Sequence, residues 1–112
     1  MKALITGSGG LIGSECVRQL SAEGWDVIGV DNDMRRQFFG EQGTTRPIVE
    51  ELQATLPRYR HRGLDIRDRQ AVRQLFDLLG KRGFILTPSP SIHSIMPWQN
   101  LLAMIEEWKR LR

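Results

Sequence analysis

The chain is poor in cysteine, in aromatic rings and in long apolar runs. Its one cysteine, Cys16, excludes an internal disulfide and suits a reducing compartment. Aromatic residues make up 7% of the 112 positions, and this scarcity bears on partners. Six arginines fall between Arg58 and Arg73, but Tyr59 is the only aromatic among them, and Asp65 and Asp68 interrupt the charge. A single-strand nucleic-acid surface interleaves several stacking rings with its basic groups, so the net charge of +3 predicts a solvated basic edge, not nucleic-acid binding. No apolar run approaches a membrane span, and no repeat or low-complexity tract is present. The first apolar run stops at Ile5 and gives way to glycines, unlike a signal peptide. A soluble, cytoplasmic, single domain over residues 1–112 is expected, with 40% apolar and 26% charged residues.

What is present is alternation. Lys2–Thr6 (KALIT) reads as a buried strand, and TGSGGLIG follows it. Ile12, Cys16, Val17 and Leu20 then recur at helical spacing, which predicts a helix over Leu11–Glu23 with these four inward and Gly24 as its stop. Trp25–Val30 is a second strand, closed by Asp31. Asn32–Arg46 is polar and aperiodic, long for a connection and therefore functional or disordered. Pro47 opens a helix with an apolar face at Ile48, Val49, Leu52 and Leu56, and Pro57 ends it. A third strand fits Arg58–Leu64, and Asp68 can cap a helix with Val72, Leu75, Phe76 and Leu79 inward. Gly83–Thr87 is a fourth strand. The last helix starts near Pro97 with an inward stripe of Trp98, Leu101, Leu102, Ile105 and Trp108. The class is α/β: a small four-stranded parallel sheet of order 3-2-1-4, a Rossmann-like half with helices on both faces.

The glycine turn carries the chemistry. Gly7, Gly10 and Gly13 stand in G-x-x-G-x-x-G spacing after a strand and at the start of a helix. Gly7 permits the sharp turn, Gly10 lets a pyrophosphate approach the backbone, and Gly13 lets the helix pack closely. A helix start offers free N–H groups to phosphate. Asp31 follows Gly13 by eighteen residues at the end of the second strand, placed to accept from both adenosine ribose hydroxyls and to repel a 2′-phosphate. This favours NAD over NADP, although Arg35 and Arg36 stand close by in sequence.

TGSGGLIG, DNDMRRQFFG and LDIRD together make residues 1–76 resemble the N-terminal Rossmann part of the extended short-chain dehydrogenase/reductase family, on its nucleotide-sugar epimerase branch (the CDP-paratose/tyvelose 2-epimerases). The resemblance implies that Gly7, Gly10, Leu11, Ile12 and Gly13 meet the pyrophosphate of NAD, Asp31 and Asn32 the adenosine ribose, and Asp65 and Ile66 the adenine. It also implies a Tyr-x-x-x-Lys pair for catalysis, in which lysine lowers the tyrosine pKa and both sit on one helix face. The only tyrosine here is Tyr59, and the residue four further on is Gly63.

Residues 83–112 are similar instead to the last strand and helix of uroporphyrinogen decarboxylase-type (β/α) barrels, carried by GFILTPSPSIHSI and PWQNLLAM. On that reading the chain is an engineered chimera with a junction at 77–82, not an enzyme, retaining weak NAD or adenine-nucleotide affinity. The alternative is a fragment of an NAD-dependent nucleotide-sugar epimerase or dehydratase whose catalysis needs another chain. No catalytic residue and no metal ligand is assigned, since His61 and His93 lack partners at ligand spacing. Cys16 is expected to be an inert core residue. An apolar, uncharged Phe84-Ile85-Leu86 edge, or the last helix, is expected to support a homodimer.

Overall fold

The computed structural model describes residues 1–79 and 97–111. They fall into two compact units, Met1–Arg73 and Gln74–Arg112.

The first unit is built on three parallel strands, β1 (Lys2–Thr6), β2 (Asp26–Val30) and β3 (Tyr59–Arg62), with β2 in the centre. Lys2 pairs with Asp26 and Thr6 with Val30 along β1–β2, and Val27 pairs with Tyr59 along β2–β3. The 3-2-1 part of the expected order is therefore present. The fourth strand, Gly83–Thr87, lies outside the described residues.

Between β1 and β2 runs α1 (Leu11–Ala22). It stops as its sequence requires. Gly24 takes φ +82°, its N–H donates to the Ser21 carbonyl at 3.0 Å, and the Trp25 N–H reaches back to the Leu20 carbonyl at 3.0 Å. This left-handed cap satisfies two carbonyls that would otherwise lack a donor. The inward line of α1 is Ser14, Val17 and half-buried Leu20, not the expected stripe. Cys16 is exposed and Ile12 is 76% exposed, which corrects both assignments. One residue is about 100° of helix, and α1 is rotated by Gly13 lying against the glycine loop, so Ser14 and Val17 take the core face.

Asn32–Arg46 is ordered, not irregular. It holds α2 (Met34–Phe39), a 3₁₀ turn at Glu41–Gly43, and the start of α3 (Arg46–Thr55). Six polar-rich residues with two terminal phenylalanines carry no readable period, which is why the sequence concealed α2. Phe38 and Phe39 remain exposed, with the Arg35 guanidinium 5.5 Å above the Phe39 ring. In α3, Val49 and Leu52 point inward, as the pattern required.

The core joins Val17, Val27, Leu52 and Tyr59, with Ala3, Ile5, Leu20, Trp25, Ile48 and Leu56 packed around it. Tyr59 is 5% exposed, and its hydroxyl donates to the Oγ of fully buried Ser8 at 3.1 Å. The ring fills the core while the oxygen supports the glycine loop from below. Burial pushes the Tyr59 phenol up, against the smaller downward pull of the Ser8 contact. Tyr59→Phe should destabilise the chain by about 1–2 kcal/mol, since it leaves the Ser8 hydroxyl buried without that partner. Urea unfolding measures it, and an unchanged midpoint would refute the bond.

After β3, α4 (Arg69–Leu79) is capped by Asp68, whose Oδ1 accepts from the Gln70 and Ala71 N–H groups at 3.0 and 3.1 Å. In α4, Leu75 is buried while Val72 is exposed; the side chains of Phe76 and Leu79 lie outside the described residues. In α5 (Trp98–Leu111), Leu101 is buried and Ile105 half-buried. Trp98 and Leu102 are exposed, a narrower stripe than expected, and the Trp108 side chain lies outside the described residues.

Candidate functional site

The carboxyl ends of the three strands gather most of the residues singled out above. Gly7 leaves β1 at φ +66°, a conformation that a Cβ makes costly, and the space where that Cβ would stand is open. The loop then folds on itself, with the Gly10 N–H donating to the Gly7 carbonyl at 2.9 Å and the Ser8 N–H to Val30 at 3.2 Å. Gly13 comes down on the same turn. A Cβ there would overlap the Gly7 carbonyl oxygen and sit 2.7 Å from its carbon and 3.0 Å from Ser8 Cα. The sequence placed the helix against the strand; the contact is with the loop backbone.

At the start of α1 no side chain among the described residues caps the helix, and no acidic residue occupies the first turn. Its positive end is left for an anion. Leu11 and Ile12 stand there 77% and 76% exposed.

Beside the loop lies a cleft of about 350 Å³ whose lining includes Gly7, Asp31, Asn32, Arg35, Asp65 and Ile66. Five of the nine residues singled out thus line one cleft, and the other four form the loop and helix start next to Gly7. A second cleft of about 420 Å³ shares Asp31, Asn32, Leu64 and Asp65 with the first, and reaches Thr45, Glu50 and His61 on the α3 side.

Asp31 is more engaged than its sequence position suggested. Its Oδ2 accepts from the Gly9 N–H at 3.0 Å, and its Oδ1 accepts from the Asp33 N–H at 2.8 Å and lies 3.0 Å from Thr45 Oγ1. Asp33 adopts φ +56°, rare for a residue with a side chain. It is held there by Thr45, whose N–H donates to Oδ1 at 2.7 Å, and by the Thr44 hydroxyl at 2.8 Å. The Thr45 N–H bond is the main reason the Asp33 carboxyl is held below its ordinary range.

Asp65 is gripped by its neighbour. Arg67 donates its backbone N–H at 2.9 Å and forks its guanidinium onto both oxygens, at 2.9 Å from Nε to Oδ1 and 2.6 Å from Nη2 to Oδ2. With the side chain of Asn32 adding a further bond, this lowers the carboxyl to about 2. His61, in the second cleft, is pushed down by burial, with Asp31 opposing. Its buried Nδ1 has no hydrogen-bond partner among the described residues.

Sequence reasoning missed Ser8, Asp33, Thr44, Thr45 and Arg67. Thr45 had a legible signal, a threonine two residues before a proline that opens a helix. The acceptors of its hydroxyl, 12 and 14 residues away, had none.

Residues 3–83 match the family described as Epimerase, the NAD dependent epimerase/dehydratase family. The chain belongs to the NAD-dependent epimerase/dehydratase family. Among solved structures it is similar to the UDP-Glc/GlcNAc 4-epimerase from the human pathogen Campylobacter jejuni, at 28% identity and a TM-score of 0.58, covering 94% of this chain and 29% of that one. It thus spans under a third of that epimerase's length. A fainter likeness, at 15% identity and a TM-score of 0.49, is to a 4-hydroxyisoleucine dehydrogenase mutant complexed with NADH and succinate, covering 98% of this chain and 50% of that one. No curated protein matches the chain.

Membership in the epimerase/dehydratase family corrects one expectation outright. The absent Tyr-x-x-x-Lys pair was read as marking a protein that is not an enzyme, whereas the family matched is one of enzymes. The missing pair weighed too heavily because the match rests on residues 3–83, which carry the glycine turn without such a pair. The match also runs through the expected junction at 77–82, and the comparisons lend no support to a barrel-derived tail or an engineered chimera. Among the described residues, no helix is long and apolar enough to cross a membrane.

Proposed function

We propose that this chain is the NAD-binding part of an epimerase or dehydratase acting on a nucleotide-linked sugar. The observation that carries the reading is the joining of the glycine turn to the end of β2 through the Asp31–Gly9 bond, within a family that depends on NAD. The residues fit the cofactor on their own chemistry. The turn at Gly7 leaves open space, α1 presents an uncapped positive end, and the 350 Å³ cleft holds carboxylates and an amide at one side.

In this reading the N–H groups at Leu11, Ile12 and Gly13 bind the pyrophosphate, and Gly10, whose own N–H is held by the Gly7 carbonyl, lets it approach the backbone. Asp31 and Asn32 bind the adenosine ribose, and the negative charge at Asp31 disfavours a 2′-phosphate. Asp65 and Ile66 flank the adenine, the first held in place by Arg67 and the second offering an apolar surface, 62% exposed and free to be covered. Bound NAD supplies the hydride acceptor for oxidation at a sugar carbon. The residues of this chain hold and orient it, while the general base is supplied by residues other than Tyr59, whose hydroxyl is buried against Ser8.

NMR or calorimetric titration of the chain with NAD, ADP-ribose and AMP tests the reading. Affinities on the order of 0.1–1 mM are expected from the adenosine and pyrophosphate contacts alone, with shifts at Gly7–Gly13, Asp31 and Asp65. No binding of any of the three would overturn it.

A further inference from the structure

Thr45 is the point at which the carboxylates beside the cleft are tied together. It is 5% exposed, and its N–H is bound to Asp33 Oδ1. Its Oγ1 lies 3.0 Å from Asp31 Oδ1 and 3.2 Å from Asp33 Oδ1, and one hydroxyl proton serves only one of them at a time. The glycine loop also rests on this residue: a Cβ on buried Gly9 would come 2.7 Å from Thr45 Cβ. Of the roughly four acceptor positions of a carboxylate, Asp31 therefore has three in use among the described residues when the Thr45 proton faces it, and the open one is on Oδ2. Asp31 is held by donors on three separate segments. The Thr45 hydroxyl is the only one of the three that belongs to a side chain.

Resting on the proposed function, we infer that Thr45 is a positioning residue for ribose recognition. Its hydroxyl completes the set of donors, with the Gly9 and Asp33 N–H groups, that fixes the plane of the Asp31 carboxylate, and this decides whether the open acceptor meets a ribose hydroxyl. Thr45 touches no cofactor itself and acts through Asp31. Where Asp31 is free to turn, nucleotide still binds through the loop and the base, but the contribution of the ribose diol falls.

The test compares AMP with 2′,3′-dideoxyAMP, by NMR titration of the parent chain, Thr45→Ser and Thr45→Val. The parent should prefer AMP by roughly tenfold, in keeping with a hydrogen bond to a charged acceptor. Thr45→Ser keeps the hydroxyl and should keep the preference, whereas Thr45→Val should bind the two ligands within about twofold of each other. A merely structural role would weaken both ligands alike and leave the ratio intact. A Thr45→Val chain that retains the tenfold preference overturns the proposal. Should that variant not fold, the parent decides: the Thr45 and Gly9 amide signals should move with AMP and stay with the dideoxy analogue, and identical movement with both counts against the inference. A parent that binds both nucleotides without preference also defeats it while sparing the cofactor reading. A parent that binds neither removes both.

Discussion

Gly13→Ala should lower the stability of the chain by about 3 kcal/mol, the upper end for inserting one methyl into a packed site. The magnitude follows from what the methyl meets. A Cβ at Gly13 collides with the carbonyl oxygen of Gly7 and crowds the Gly7 carbon and Ser8 Cα, all of them backbone. Side chains turn aside for a new methyl, but this turn is fixed by the Gly10–Gly7 and Ser8–Val30 bonds and by Tyr59 beneath it. Either α1 lifts from the loop or the loop opens, and both disrupt packing around Val17. Gly40→Ala is the comparison, since Gly40 has a positive φ of +69°, which helical Gly13 does not, but open space where a Cβ would stand. It should lose only about 1–2 kcal/mol, the strain of a positive φ with an extended ψ. Urea unfolding of both variants gives the comparison. A Gly13→Ala chain within about 1 kcal/mol of the parent would mean that the loop does not press on α1.

Asp31→Ala is expected to damage stability and binding together, whereas a residue serving only a ligand would affect binding alone. Removal of the carboxylate strips an acceptor from the Gly9 N–H, the Asp33 N–H and the Thr45 hydroxyl. Hydrogen bonds to a charged group each contribute about 1.5–3 kcal/mol, and with part of this site open to water a total near 3 kcal/mol is expected. Affinity for AMP should fall at least tenfold, roughly 1.4 kcal/mol. Asp31→Asn keeps one acceptor oxygen and should lose about half as much stability. Unfolding curves paired with AMP titrations measure both effects. Unchanged stability with lost binding would show that the bonds to the loop carry no load, and the converse would remove Asp31 from the ribose site.

Much of the first unit was legible because its signals are local. The glycine spacing marks the turn after β1, Gly24 stops α1, Pro47 starts α3, and Asp68 caps α4. Each rule acts within a few residues, where backbone sterics and nearby donors decide the outcome. The errors came where local rules are weak. DNDMRRQFFGEQGTTR has no period to read, so α2 and its 3₁₀ turn were taken for an irregular connection. Cys16 was placed inside because it shares a helical stripe with Leu20, and a stripe does not say which way the helix is turned. The family itself was legible in three short segments, but its consequence for catalysis was not, because the missing tyrosine–lysine pair was given the weight of the whole enzyme.

By itself the sequence determined the strand–turn–helix order and the parallel pairing that follows from a βαβ unit, and it offered nine residues as candidates for a nucleotide. Tertiary structure alone decided what those residues touch. Gly9, Asp31, Asp33 and Thr45 are brought together across 36 positions by the pairing of β1 with β2 and the docking of α3 on the loop. A carboxylate at a strand end is a free ligand group until other segments supply donors for it. Which donors arrive depends on how helices rotate and where a connection folds back. Periodicity fixes neither, because it records that a face is buried and not what lies against it.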